Sequence, residues 1–343
     1  MTSVVSEPHP SKAPARSLST WAAGALACSA LLLLPLAVKS TYQQHLFVVV
    51  FLFLVLSASY NLVVGYTGYL SLAHATFFGL GGYASAIATT RYHLHVLGGV
   101  GASIVLTSAV ALVLGWIVFR RVRGFAFSIM TLGFAITVFI LVSNWITFTG
   151  GPTGILGIPR PSLTLMGRTM VLVRTVDFYY AGLALVALTI AVVRWIRTSR
   201  VGRALLAIRE NEHLASALGI DAFAYKMFAF ALGAVLAGLA GSFYAHYITV
   251  VTPEILWIFW ITSLLAILIV GGPGSLIGGA MATVLLVLVP ELLRVFEVYR
   301  ELLYGTLLLL VIRFLPQGIG GLIDRALYRR RLSQWRSSPS TAS

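Results

Sequence analysis

LFVVVFLFLVLSASYNLVV, Leu46 to Val64, is a run of 19 residues without a charge. A helix rises about 1.5 Å per residue, so such a run crosses a hydrocarbon core about 30 Å thick. Similar runs lie on both sides of it: Trp21–Val38, Leu70–Thr89, Leu97–Phe119, Gly124–Asn144, Phe178–Trp195, Tyr225–Ile248, Ile255–Val270, Leu276–Leu293 and Val298–Phe314. The pattern predicts an all-α fold, a polytopic transmembrane helical bundle of about ten spans. The last three runs are short or closely spaced, which fits broken or re-entrant helices. Irregular backbone persists at membrane depth only where protein or a water-filled cavity covers it. Ten spans divide into five plus five, the odd number per half that an inverted repeat needs. The two halves show no clear residue-level similarity to strengthen that suggestion.

Composition agrees. The chain has 343 residues, 59% hydrophobic and 10% charged, with a mean hydropathy of +0.93. Soluble domains carry roughly 25% charged residues. The net charge of +14 does not point to nucleic acid, because the arginines sit in short clusters between apolar runs. That is how membrane proteins set orientation. With the N-terminus inside, the inner segments hold 17 of the 24 basic residues: Lys12 and Arg16; Arg120, Arg121 and Arg123; six between Arg194 and Lys226; and six from Arg313 to Arg336. The expected topology therefore places both termini and the 197–226 loop in the cytoplasm, and the 147–177 loop outside. The expected organisation is a disordered cytoplasmic tail at 1–20, a membrane domain at 21–322 and a basic cytoplasmic tail at 323–343. Trp21–Val38 is long for a signal-peptide core and reads as a retained helix. The single cysteine, Cys28, permits no internal disulfide.

Four stretches stand out. NLVVGYTGYLSLAHATFFGLGGY, Asn61–Tyr83, concentrates glycines and the polar residues Asn61, Ser71 and His74 in an apolar region. Ser71, Ala75 and Gly79 recur at four-residue spacing, so small side chains line one helical face. Polar groups at this depth must pair or face a cavity. Both readings stand: tight helix packing, or a substrate path formed by Asn61, Gly65, Gly68, Ser71, His74 and Gly79. Gly65, Gly68 and the Gly79–Gly82 cluster are the expected backbone breaks. TGGPTGILGIP, Thr149–Pro159, is too rich in glycine and proline for a helix and reads as a structured extracytoplasmic cap. In Arg197–Lys226, Leu205, Ile208, Ala215 and Leu218 fall near one helical face, while Arg209, Glu210 and His213 point elsewhere. That segment could lie in the lipid interface or dock into a partner. GGPGSLIGG, Gly271–Gly279, forces a turn and offers Gly274 and Gly278 for helix contact.

Other chemistries find little support. Of ten acidic residues only Glu291 and Glu301 lie within expected spans, each near its span's outer end, which disfavours an ion-coupled secondary carrier. No metal-ligand cluster, nucleophile–base pair or phosphate-binding loop with its lysine is visible, so no metal and no catalytic residue is expected.

Three of these stretches together resemble the M-type (LivM-like) permease subunits of bacterial branched-chain amino-acid ABC transporters. The motifs are GYTGYLSLAHA at Gly65–Ala75, TGGPTGILGIP at Thr149–Pro159, and GRALLAIRENE at Gly202–Glu212 followed by ALGI at Ala217–Ile220. The resemblance covers about Asn61 to Gly321. It implies a multi-pass protein of the bacterial inner membrane that is not itself an enzyme and carries no cofactor. ATP and magnesium would be bound by partner subunits. The implied partners are a second, related permease, two ATPase subunits and an extracytoplasmic substrate-binding protein, in contact with membrane lipid and without nucleic acid. The resemblance also places the ATPase-coupling helix at Arg203–Gly219, with Arg203, Leu205, Ile208, Arg209, Glu212 and Gly219 as candidates. Ser216 stands where the family often has an acidic residue. Permeases for urea and short-chain amides are closely similar, and the motifs do not separate them from those for branched-chain amino acids.

Overall fold

The computed structural model describes residues 31–35, 40–122, 124–165 and 168–292, and scattered positions between 302 and 325. Ten helices of six residues or more organise them: α1 (Thr41–Tyr60), which runs on as a π-helical turn Asn61–Gly65, α2 (His74–Thr90), α3 (Val96–Arg121), α4 (Phe125–Asn144), α5 (Thr175–Thr198), α6 (Arg200–Glu210), α7 (Glu212–Ala217), α8 (Ala222–Ile248), α9 (Ile258–Gly271) and α10 (Leu276–Leu292). Among the described residues, six helical segments are long and apolar enough to cross a membrane: Thr41–Gly65, Val96–Arg121, Phe125–Asn144, Thr175–Thr198, Ala222–Ile248 and Pro253–Gly271. The apolar helices α2 and α10 have 17 residues each. The runs Trp21–Val38 and Val298–Phe314 fall largely outside the described residues, and the count of ten goes with them. The tail at 1–20 also lies outside, as does nearly all of 323–343.

Helix α8 sits at the centre, against α2 and α3. Glycines allow this. A Cβ on Gly81 would strike the backbone of Gly238, and one on Gly241 would strike the Phe78 carbonyl oxygen. Small residues let membrane helices approach to backbone contact, where dispersion and short hydrogen bonds replace a hydrophobic drive. Ser103 of α3 uses that closeness to donate to the Gly238 carbonyl at 2.9 Å. Phe77 and Phe230 pack edge to face at 5.3 Å nearby. Helix α1 is buried over most of its second half, whereas α4 exposes most of its length.

Two connections between helices are irregular. The expected span Leu70–Thr89 starts as helix only at His74. Residues 68–73 are non-helical, and Gly68 takes φ +77°, a conformation that costs little only for glycine. Ser71 therefore precedes the helix and does not share a helical face with Ala75 and Gly79. The expected break at Gly79–Gly82 is helical instead: Gly79 fits against Leu256, and Gly82 against Gly241 and Ile255. The second interruption follows α8. Thr249 (φ 65°), a short strand and a 3-10 turn Pro253–Leu256 precede α9.

The 147–177 loop is structured. It contains a 3-10 turn Gly151–Thr153, strand β1 (Ile155–Leu156) and a hairpin of β2 (Ser162–Leu165) with β3 (Arg168–Val171). Strand β1 pairs antiparallel with β4 (Val250–Val251), Ile155 opposite Val251. In the 271–279 stretch, Gly274 lies in the turn with φ +88°, not on a helix. The close approach is made by Gly271 against Gly278 and Gly279.

Candidate functional site

The polar residues of the first motif divide between two neighbourhoods. Asn61 opens the π-turn and is buried. Its Oδ1 accepts from the Gly274 amide at 2.7 Å, and its Nδ2 donates to the Ser275 carbonyl at 3.1 Å. One side chain thereby satisfies both backbone groups of the 271–275 turn, which at membrane depth would otherwise be costly. Asn61 also lines a cleft of about 250 Å³ with Ser57, Arg194 and Met281. The carbonyl of Gly65, at the end of the same π-turn, accepts from Arg209 Nη1 at 2.6 Å, and the same nitrogen reaches the Pro273 carbonyl at 3.5 Å. Gly68 lies against Arg209 as well: a Cβ there would sit 3.2 Å from its Cγ.

A second link lies one turn of chain away. Tyr69 Oη donates to Glu212 Oε2 at 2.6 Å, and Lys226 Nζ meets Glu212 Oε1 at 2.7 Å. Lys226 also stands 4.4 Å from the centre of the Tyr69 ring. Its side chain is 3% exposed, so the ammonium depends on the carboxylate and the aromatic face for its solvation. Two stretches that are 143 residues apart in sequence thus meet through a charge-assisted bond.

The 197–226 segment differs from the expected single helix Arg203–Gly219. Asn211 leaves helical geometry at φ −159° and caps α7 by accepting from the Leu214 amide, so α6 and α7 are separate helices. Leu205 and Ile208 point into this chain, at 0% and 2% exposure. Leu205 packs with Leu62, Tyr66 and Ile196, and Ile208 with Ala215 and Ala222. Their apolar periodicity reports burial within the protein and leaves them unavailable to a partner. The apolar side chains that do face outward are Leu206, Leu214 and Leu218, the last two 60% and 75% exposed. Arg203 is exposed beside them, and Gly219 turns the chain at φ +85°. Sequence periodicity marked one apolar face, but could not show that it was already occupied.

His74 begins α2 and is buried, with Nε2 2.8 Å from Ser59 Oγ and its ring 5.1 Å from that of Tyr60. Ser71 is fully buried, and its hydroxyl has no partner among the described residues. Tyr60, Tyr66, Thr76 and Tyr83 share that property. Buried hydroxyls without partners are uncommon, and here they concentrate around the broken segment.

At the other end of α2, Ser85 Oγ lies 2.9 Å from His246 Nε2, and His246 Nδ1 lies 2.7 Å from the Pro159 carbonyl. This joins the second motif to α2 and α8. His246 escaped the sequence reading because a lone histidine in an apolar run carries no spacing signal.

The chain matches the family described as "Branched-chain amino acid transport system / permease component" over residues 44–312. It is 33% identical to the high-affinity branched-chain amino acid transport system permease protein LivM of Salmonella typhimurium over 287 residues, 78% of this chain and 67% of that protein. LivM of Escherichia coli is 32% identical over 289 residues, with the same coverage. The companion permease protein LivH of Escherichia coli is 28% identical over 287 residues, 78% of this chain and 90% of that one. No solved structure matches the chain.

Proposed function

Because this chain belongs to the family of branched-chain amino acid transport system permease components, we propose that it is one of two related permease chains in a bacterial ABC importer of leucine, isoleucine and valine. It is a transporter membrane subunit, not an enzyme. ATP, with its magnesium, is bound and hydrolysed by two ATPase subunits, and an extracytoplasmic binding protein delivers the substrate. Both termini and α6–α7 face the cytoplasm, and the 147–177 loop faces outward.

One observation carries the mechanism: the cytoplasmic segment is bonded to the broken segment at two places. Arg209 holds the Gly65 carbonyl at the end of α1, and Glu212 holds Tyr69 between the helices. A push on α6–α7 therefore reaches the interrupted backbone through short polar contacts, without having to travel through apolar packing. Charged hydrogen bonds are about twice as strong as neutral ones, which suits a strut. The outward leucines Leu206, Leu214 and Leu218 form the face offered to the ATPase. The clustered unpaired hydroxyls around 60–83 support a substrate path beside the break, since a polar path must leave some groups free for cargo.

Uptake of radiolabelled leucine and of labelled urea, in cells with and without this chain, tests the substrate. Loss of leucine uptake alone is expected. Loss of urea uptake with leucine uptake intact would reverse the assignment.

A further inference from the structure

We propose that the N-terminus of α2 seats the carboxylate of the transported amino acid, and that the cleft beside it takes the aliphatic side chain. The proposal rests on the substrate reading above and assigns it to particular atoms.

The cleft measures about 220 Å³. Its lining includes Ala75 and Thr76 from the first turn of α2, Ile136 and Phe139 from α4, Leu256, and Ile261 from α9. Drug-sized ligands occupy roughly 300–1,000 Å³, so this space suits something smaller. None of the residues lining it is charged, so an incoming carboxylate meets no repelling group there. Its walls are aliphatic and aromatic, which urea could not use.

Thr76 supplies the independent observation. Buried threonines in this protein normally bond to a carbonyl one turn back: Thr67 to Val63, Thr89 to Ser85, Thr107 to Ser103 and Thr189 to Leu185. Thr76 makes no such bond, and the residue four back, Leu72, lies in the non-helical segment. Thr76 is 1% exposed, and its hydroxyl has no partner among the described residues. It lines the cleft from the first turn of a 17-residue helix. The N-cap position is Ala73, which has no side chain to offer the first-turn amides. Helix N-termini carry unsatisfied N–H groups and a partial positive charge. The free hydroxyl and the uncapped turn converge on one place, and together they complement an anion. Thr131 of α4 accepts the Leu72 amide at 3.0 Å and holds the approach to the helix in position.

The test uses the complete importer, purified with its partner subunits and reconstituted in proteoliposomes. Leucine uptake and ATP hydrolysis are measured together. Thr76→Val keeps the shape and removes the hydroxyl. It should lower leucine moved per ATP hydrolysed by about tenfold, the scale of one lost hydrogen bond to a charged group. Thr76→Ser should restore most of the uptake. Wild-type transport by Thr76→Val would overturn the inference, as would an equal loss in Thr76→Ser, or a parallel fall in hydrolysis that leaves the ratio unchanged. A wild-type complex that moves no branched-chain amino acid would overturn the substrate reading instead, and this inference with it.

Discussion

The α6–α7 end of this bundle and the 147–177 end each hold an irregular connection between helices, but different chemistry anchors the two breaks. At the α6–α7 end, side chains do the work. Arg209, Asn61 and the Glu212–Lys226 pair reach across from distant elements to residues 61–69 and 271–275. At the 147–177 end backbone pairing carries most of it, beside the His246 bond to the Pro159 carbonyl. Strand β4 pairs with β1, and the Ile158 amide donates to the Thr249 carbonyl at 3.1 Å. Side-chain struts can lengthen, rotate or exchange partners while the helices stay intact. A backbone ladder holds or breaks as a unit. The first arrangement suits transmission of movement, and the second suits a fixed cap.

The sharpest way to break this contrast is to charge the two faces of α6–α7 separately. Leu205→Asp places a carboxylate in the protein's own core, at a cost of several kcal/mol, and the chain should fail to accumulate in the membrane. Leu218→Asp should accumulate normally but co-purify with less ATPase. Normal accumulation of the first variant, or unchanged assembly of the second, would reverse the two faces.

Next in size is the buried pair. Lys226→Met leaves Glu212 without its cation and should cost about 3–5 kcal/mol, read as a fall in the thermal midpoint of the purified complex. Adding Glu212→Gln should recover much of that midpoint while uptake stays impaired, because the strut to Tyr69 is weakened. Full recovery of uptake would make the pair purely structural.

In the 147–177 loop, Gly154 takes φ 71° and ψ −158°, a region open essentially only to glycine, and a Cβ there would strike the Val251 backbone. Gly154→Ala should cost about 1–3 kcal/mol and expose the 147–177 loop to protease added outside. A loop that stays as resistant as in the wild type would argue against the backbone ladder as the anchor.

The smallest effect is a gain. Thr249 holds a left-handed conformation at the end of α8, which costs a branched residue roughly 1–2 kcal/mol. Thr249→Gly should raise the thermal midpoint slightly, with uptake unaltered. A lowered midpoint would mean that the threonine's own contacts outweigh the strain.

Much of this was legible in the chain. The apolar runs announced membrane helices, and the glycines at 65 and 68 announced a break: Gly68 takes a left-handed backbone, and a Cβ on Gly65 would strike Asn61 and the Gly274 amide. The motif residues Asn61, Arg209 and Glu212 were visible as unusual, but their partners were not. Tyr69 and Lys226 gave no local signal, since a bond across 143 residues leaves no spacing to read. The glycines at 79–82 misled in the opposite sense: glycine marks either a break or a close contact, and only Gly238 and Gly241 across the interface decide which.

The sequence by itself determined what depends on composition and period: a many-helix membrane protein and its kinship through three motifs. Transfer into lipid depends on the sum of side-chain polarities along a segment, and that sum is a local property. The tertiary structure alone decided which apolar face was already buried, which polar groups were paired and which hydroxyl was left free. Those are properties of pairs of atoms brought together by folding. Thr76 shows the difference: its residue type is ordinary, and only the fold shows that its hydroxyl has no partner among the described residues.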